Sequence, residues 1–102
     1  MNIKLLTKAL LKQLPSYEAI ADEKDPMVWA KFFYPDFSWT WFAIAFDGTD
    51  IFFGFVDGDE PEEGDFSLSE LLNTRGKLGC SIERDRFFTP CRLSELRKRL
   101  GR

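Results

Sequence analysis

The chain contains no histidine and only two cysteines, Cys80 and Cys91. Without histidine there is no His-based triad or haem ligation, and two distant cysteines with no second ligand pair exclude a zinc finger. A phosphate-cradling glycine loop is also missing, so no nucleophile and no catalytic residue is nominated. No apolar run approaches the roughly 18 residues that cross a bilayer. Met1–Leu14 carries three lysines in place of the apolar block of a signal peptide. The expectation is a cytoplasmic protein with no membrane partner.

Basic residues are missing from the middle of the chain. Between Asp36 and Asp65 there are nine acids and no lysine or arginine. The ends compensate: Lys4, Lys8 and Lys12 stand near the start, and Arg86, Arg92, Arg97, Lys98, Arg99 and Arg102 near the end against only Glu95. The formal charge of -3 therefore conceals a strong segregation, and a mildly acidic total argues against a general nucleic-acid binder. Aromatics are concentrated too, with twelve of the sixteen between Trp29 and Phe55. With 102 residues and 44% hydrophobic content, one core and one domain over 1–102 is the limit.

Leu5, Leu6, Ala9, Leu10 and Leu14 recur at helical intervals opposite Lys4, Lys8 and Lys12, with Thr7 as cap and Pro15 as terminator. Ser16–Pro26 reads as a partly helical connector. Met27–Tyr34, Trp39–Phe46 and Ile51–Val56 are rich in aromatic and β-branched residues and read as strands, the last two joined by the turn chemistry of Asp47-Gly48. Asp57–Asp65, with six acids, two glycines and a proline, reads as a loop that neither helix nor strand should hold. Ser67 and Glu70 have the spacing of a capping box, flanked by Phe66 and Leu71 as a hydrophobic staple, for a helix over Leu68–Asn73. Ser81–Phe88 alternates as a charged edge strand. Thr89-Pro90 then opens the last helix with proline at its first position. The resulting fold class is α+β: an antiparallel sheet of about four strands with two or three short helices, in the order α-β-β-β-α-β-α.

The acidic stretch invites two functional readings. Counted from Asp57, Pro61 stands at the fifth position of an EF-hand loop, Glu62 replaces the glycine at the sixth and Leu68 occupies the twelfth, so calcium binding of that kind is not expected and no metal or cofactor is assigned. Rows of carboxylates also imitate the spaced charges of a nucleic-acid backbone. The bland alternative is a solvated loop that keeps an aromatic sheet soluble. Phe53-Gly54-Phe55-Val56 superficially matches an RNA-recognition strand, but its flanking acids would repel phosphates, so its aromatics are expected to fill the core with Gly54 allowing close packing or a bulge. Adjacent rings such as Trp41 and Phe42 must point to opposite sheet faces. Either helices cover both faces, or an exposed aromatic patch beside acids serves as a protein-binding surface. Cys91 reads as lying in the first turn of the last helix, where the dipole could lower its pKa, with a buried inert thiol as the competing expectation.

An ordered set of motifs carries a resemblance. Leu5-Leu6-Thr7-Lys8, Lys31-Phe32-Phe33-Tyr34-Pro35-Asp36, Trp39-Thr40-Trp41, Phe46-Asp47-Gly48, Phe52-Phe53-Gly54, Glu60-Pro61-Glu62, Phe66-Ser67-Leu68-Ser69-Glu70-Leu71, Arg75-Gly76, Ile82-Glu83-Arg84-Asp85 and Leu93-Ser94-Glu95-Leu96 together resemble a bacterial family known as domain of unknown function twenty-nine fifty-eight. The resemblance covers nearly the whole chain and supplies no catalytic residues. It implies carriage on plasmids, phages and other mobile elements, where small acidic proteins counter restriction or CRISPR defences. The expectation is thus a non-enzymatic protein that binds a DNA-binding defence complex through a DNA-mimicking surface of Asp47, Asp50, Asp57, Asp59, Glu60, Glu62, Glu63 and Asp65. The alternative is an accessory nucleic-acid-binding domain for plasmid or phage maintenance, using Arg84, Arg86, Arg92, Arg97, Lys98 and Arg99. The identity of the partner and the oligomeric state stay open.

Overall fold

The computed structural model describes residues 5–102. Lys4, assigned to the polar side of the first helix, lies outside them. Helix α1 spans Lys8–Gln13 and begins where the Thr7 hydroxyl accepts from the Leu10 N–H at 3.1 Å. Leu5 and Leu6 precede the helix, yet Leu5 is buried with Leu10. The connector is partly helical as expected: α2 covers Tyr17–Ile20, capped by Ser16.

The first predicted strand divides into β1 (Met27–Val28) and β2 (Ala30–Phe33). Then come β3 (Thr40–Phe46), β4 (Ile51–Asp57) and β5 (Pro61–Ser67), followed by α3 (Leu68–Asn73), β6 (Glu83–Arg84), β7 (Cys91–Arg92) and α4 (Leu93–Leu100). Five strands form one antiparallel sheet in the order β5-β4-β3-β2-β6, and β1 pairs with β7 in a small second sheet. The α+β class holds.

Three local assignments are corrected. The acidic stretch is not a loop: only Gly58, Asp59 and Glu60 turn, while Pro61–Ser67 pairs with β4 from Asp57↔Pro61 to Ile51↔Ser67. The poor strand propensity of Glu62–Asp65 is overridden because β4 presents a row of backbone donors and acceptors that need partners. Acids and a leading proline are well placed on an edge strand, where they deter pairing with other chains. The Ser81–Phe88 strand shrinks to β6, which does lie at the sheet edge beside β2. Pro90 is not the first helical residue, since β7 intervenes and α4 starts at Leu93. The start of α4 is capped from a distance: Asp25 Oδ1 accepts from the Ser94 N–H at 2.9 Å and Oδ2 from its hydroxyl at 2.7 Å.

Both sheet faces are covered, which resolves the aromatic surplus. One core gathers Phe32, Trp41, Ala43, Phe46, Phe52 and Phe66 with Leu5, Leu10 and Leu71. The other gathers Val28, Phe42, Ile44 and Phe55 with Leu93 and Leu96 of α4. Trp41 and Phe42 therefore enter different layers, as strand alternation requires. A bulge between Ala43 and Ala45 shifts the register by one residue. That shift returns Phe46 to the face of Ala43, where its ring packs tilted against Phe52 with centroids 4.6 Å apart. Gly54 faces this irregularity, and a Cβ there would fall 1.8 Å from the Phe42 carbonyl oxygen. The close-packing reading of Gly54 is thus the observed one, with Phe52 and Phe55 fully buried beside it.

Candidate functional site

The connection between β2 and β3 carries Tyr34, Phe37 and Trp39, which meet the core residue Trp41 at the start of β3. Tyr34 sits 5.6 Å from Phe37 and 5.3 Å from Trp41, and Trp41 sits 6.0 Å from Trp39, in tilted to edge-on pairs. Such geometries suit the quadrupoles of the rings. These four side chains with Phe66 form one wall of a cleft of about 420 Å³. The other side comes from the hairpin tip through Asp59 and from α3 through Glu70, Leu71 and Thr74. Gly58 fixes the mouth: a Cβ on it would lie 2.8 Å from Cε2 of Trp39, so the indole rests directly on the glycine backbone.

Local chemistry positions the acids of the cleft. Ser67 Oγ caps α3 by accepting from the Glu70 N–H at 3.2 Å. The return half of the capping box is not made, and the exposed Glu70 carboxylate bonds to no other described residue. Asp59 is likewise exposed on the three-residue tip without a partner among the described residues. Sequence reasoning did not single out Glu70 as a site residue, and only the fold brings it into one cleft with Asp59 and Trp39.

The eight nominated acids do not form one surface. Asp47 Oδ1 accepts from the N–H groups of Thr49, Asp50 and Ile51 at 2.8, 2.8 and 3.1 Å, closing the expected turn in which Gly48 has φ +90. Asp50 accepts from the Ser67 and Ser69 hydroxyls and the Ser69 N–H, tying the turn to α3. These bonds hold both carboxyls below the usual range, led by the Thr49 amide for Asp47 and the Ser67 hydroxyl for Asp50. They stand at the opposite end of β4 from the tip, roughly 20 Å away for a seven-residue strand. Asp57 pairs with Arg102 at 3.1 Å, Glu63 with Arg97 at 4.0 Å, and Asp65 accepts from the Tyr17 hydroxyl at 2.9 Å. Burial, and then that bond, push the Tyr17 phenol well above its ordinary value. Asp59, Glu60 and Glu62 remain, exposed and unpaired among the described residues.

The nominated bases are similarly occupied. Besides Glu63, Arg97 lies 5.0 Å over the Phe55 ring, Arg99 pairs with Glu95 at 3.5 Å, and Arg92 donates to the Asp25 carbonyl. The charge segregation of the sequence is in part cancelled in space, because α4 packs on the face of the hairpin that carries Asp57 and Glu63. Lys98 stays exposed. Arg84 and Arg86 flank a smaller groove of about 230 Å³ shared with Trp29 and Phe88.

A second acid organises the rim of the cleft. Asp36 Oδ2 accepts from the Leu78 N–H at 2.6 Å, while Oδ1 is buried without a hydrogen-bond partner among the described residues. A Cβ on Gly76 would fall 1.6 Å from that oxygen, so the 75–80 loop wraps the carboxylate through a glycine. The loop carries Lys77, whose ammonium lies 5.3 Å over the Phe37 ring. Neither cysteine is activated. Cys91 lies in β7 and not in a helical turn, and burial pushes its thiol up; burial, then the Asp36 charge, does the same to Cys80. Among the described residues no three His, Cys, Asp or Glu side chains are grouped to hold a metal ion, and no helix is long and apolar enough to cross a membrane.

Residues 4–98 match the family described as Protein of unknown function (DUF2958). The chain belongs to that family. No curated protein and no solved structure matches it. In this DUF2958 chain the motif runs Lys31–Asp36 and Trp39–Trp41 build the aromatic wall and its rim, and Phe66–Leu71 adds Phe66 to that wall and Glu70 and Leu71 to the facing side. Three of the motif runs that carry the resemblance thus meet at the cleft.

Proposed function

We propose that this DUF2958 protein is a non-enzymatic binding protein of the cytoplasm that engages a partner protein through the aromatic cleft and the acids of the β4–β5 tip. The observation that carries this reading is the juxtaposition of a packed Tyr34–Trp41–Trp39 wall with Asp59, Glu60 and Glu62, which have no partner among the described residues. Aromatic anchors in a concave site supply large contact area at small entropic cost, and unpaired acids around them select a basic surface. The partner class this favours is a nucleic-acid-binding protein engaged in competition with its DNA, in keeping with a role against host restriction or CRISPR complexes on a mobile element. The DNA-mimicking part of the surface is thereby reduced to the tip, since Asp47, Asp50, Asp57, Glu63 and Asp65 already have intramolecular partners.

The test is affinity capture with the tagged protein from a nuclease-treated lysate of the bacterium that carries the gene, followed by elution with duplex DNA. A stoichiometric partner that DNA displaces, and that the D59N/E60Q/E62Q variant no longer retains, supports the reading. Retention untouched by both treatments contradicts it.

A second reading rests on the groove at Trp29, Arg84, Arg86 and Phe88, beside which Phe87 is 87% exposed with Arg86 5.9 Å over its ring. Rings interleaved with guanidinium groups suit single-stranded nucleic acid. Binding there falls steeply with added salt and is lost on Phe87→Ala.

A further inference from the structure

The chain contains its own example of how this hairpin holds a guanidinium. On the α4 side, Arg97 lies 5.0 Å over the Phe55 ring with Glu63 4.0 Å from its Nη1, a cation held between a π face and a carboxylate. On the other side the same two ingredients stand without the cation. Trp39 and Trp41 provide π faces, Asp59 and Glu70 provide carboxylates on the side facing them, and among the described residues no lysine or arginine lines the cleft. At the rim, Lys77 over Phe37 shows the wall already attracting a positive charge.

Resting on the reading of the cleft as the partner site, we propose that it receives an arginine side chain of the partner protein, its guanidinium stacked on the indole wall and paired with Glu70 and Asp59. Arginine fits better than lysine because its planar group stacks on indole and presents paired N–H donors to a carboxylate, whereas an ammonium is a compact, strongly hydrated charge. The cleft volume of about 420 Å³ accommodates one such side chain with room for its neighbours. The Gly58 contact holds Trp39 in place beforehand, so little rotamer freedom is lost on binding.

The experiment follows the indole N–H signals of Trp39 and Trp41 by NMR, with the full chain titrated with Nα-acetyl-arginine amide to about 20 mM, a range that detects millimolar affinity. Nα-acetyl-citrulline amide supplies the neutral isostere and Nα-acetyl-lysine amide the other cation. The expected result is saturable movement of both signals with arginine, about tenfold weaker binding of citrulline and of lysine, and loss of that preference in Glu70→Gln. Equal binding of arginine and citrulline, movement confined to Trp29, or no movement overturns the proposal. Loss of partner capture in Trp39→Ala without any arginine response sinks the guanidinium assignment and leaves the cleft reading standing; failure of both removes the cleft reading as well.

Discussion

Trp39 lies with its six-membered ring on the backbone of Gly58, so close that a Cβ there would approach Cε2 to 2.8 Å and Cδ2 and Cε3 to 2.9 Å. One glycine in a turn thus positions one wall of the cleft, and the Gly58→Ala variant separates cleft geometry from fold. We expect it to lower stability by about 1–2 kcal/mol through overpacking. The Trp39 indole N–H signal shifts, while signals of the α4-side core do not. An unmoved Trp39 signal would show that the contact relaxes elsewhere.

Gly54 is the stricter position. A Cβ there meets the backbone oxygen of Phe42 at 1.8 Å, and backbone in the centre of a sheet has little freedom to retreat. Gly54→Ala is expected to cost about 3 kcal/mol or more in urea unfolding, beyond the ordinary range for one added methyl group. A change under about 1 kcal/mol would mean that the bulge between Ala43 and Ala45 absorbs the clash.

Ser67 joins three elements. Its hydroxyl accepts from the Glu70 N–H, donates to Asp50 at 2.7 Å and lies 2.7 Å from the Ser69 hydroxyl. Ser67→Ala should destabilise the protein by about 1–2 kcal/mol by removing a cap and part of the Asp50 network. Amide exchange should accelerate first in α3, and uniform acceleration across the sheet would argue against a local cap.

Acid sensitivity follows from three aspartates. Hydrogen bonds hold Asp25, Asp47 and Asp50 below the ordinary carboxyl range, led by the Ser94 hydroxyl, the Thr49 amide and the Ser67 hydroxyl. A carboxyl with a lower pKa folded than unfolded contributes stability that is fully present above the unfolded value, near about pH 4, and lost as pH falls through the folded value. The urea midpoint should therefore drop below about pH 4, and Asp50→Asn should flatten that drop while lowering the plateau at neutral pH. An unchanged acid limb in Asp50→Asn contradicts the assignment.

Much of the fold was legible where hydrogen bonding is local. Thr7, Ser67 and the Asp47-Gly48 turn act within four residues of sequence, so residue type and spacing reveal them. The strand β5 was hidden because Glu62, Glu63 and Asp65 are poor strand formers whose conformation is imposed by the ladder with β4. The cleft was only half legible. Its rings stood out by composition, but Gly58 under Trp39, Glu70 in one cleft with Asp59 and the 42-residue reach from Asp36 to Leu78 are products of tertiary structure. The same holds for the Asp25–Ser94 cap, 69 residues apart, without which Pro90 passes for a helix start.

The central claim is that a protein partner docks on the aromatic cleft. Its most direct test is photo-crosslinking in the bacterial host, with p-benzoylphenylalanine placed at Phe37, 40% exposed on the cleft wall, or at Phe87, 87% exposed beside the Arg86 groove. The account predicts one discrete protein adduct from position 37, mapped by mass spectrometry to an arginine-containing segment, and none from position 87. Adducts from position 87 alone, or crosslinking to nucleic acid from either position, would contradict it.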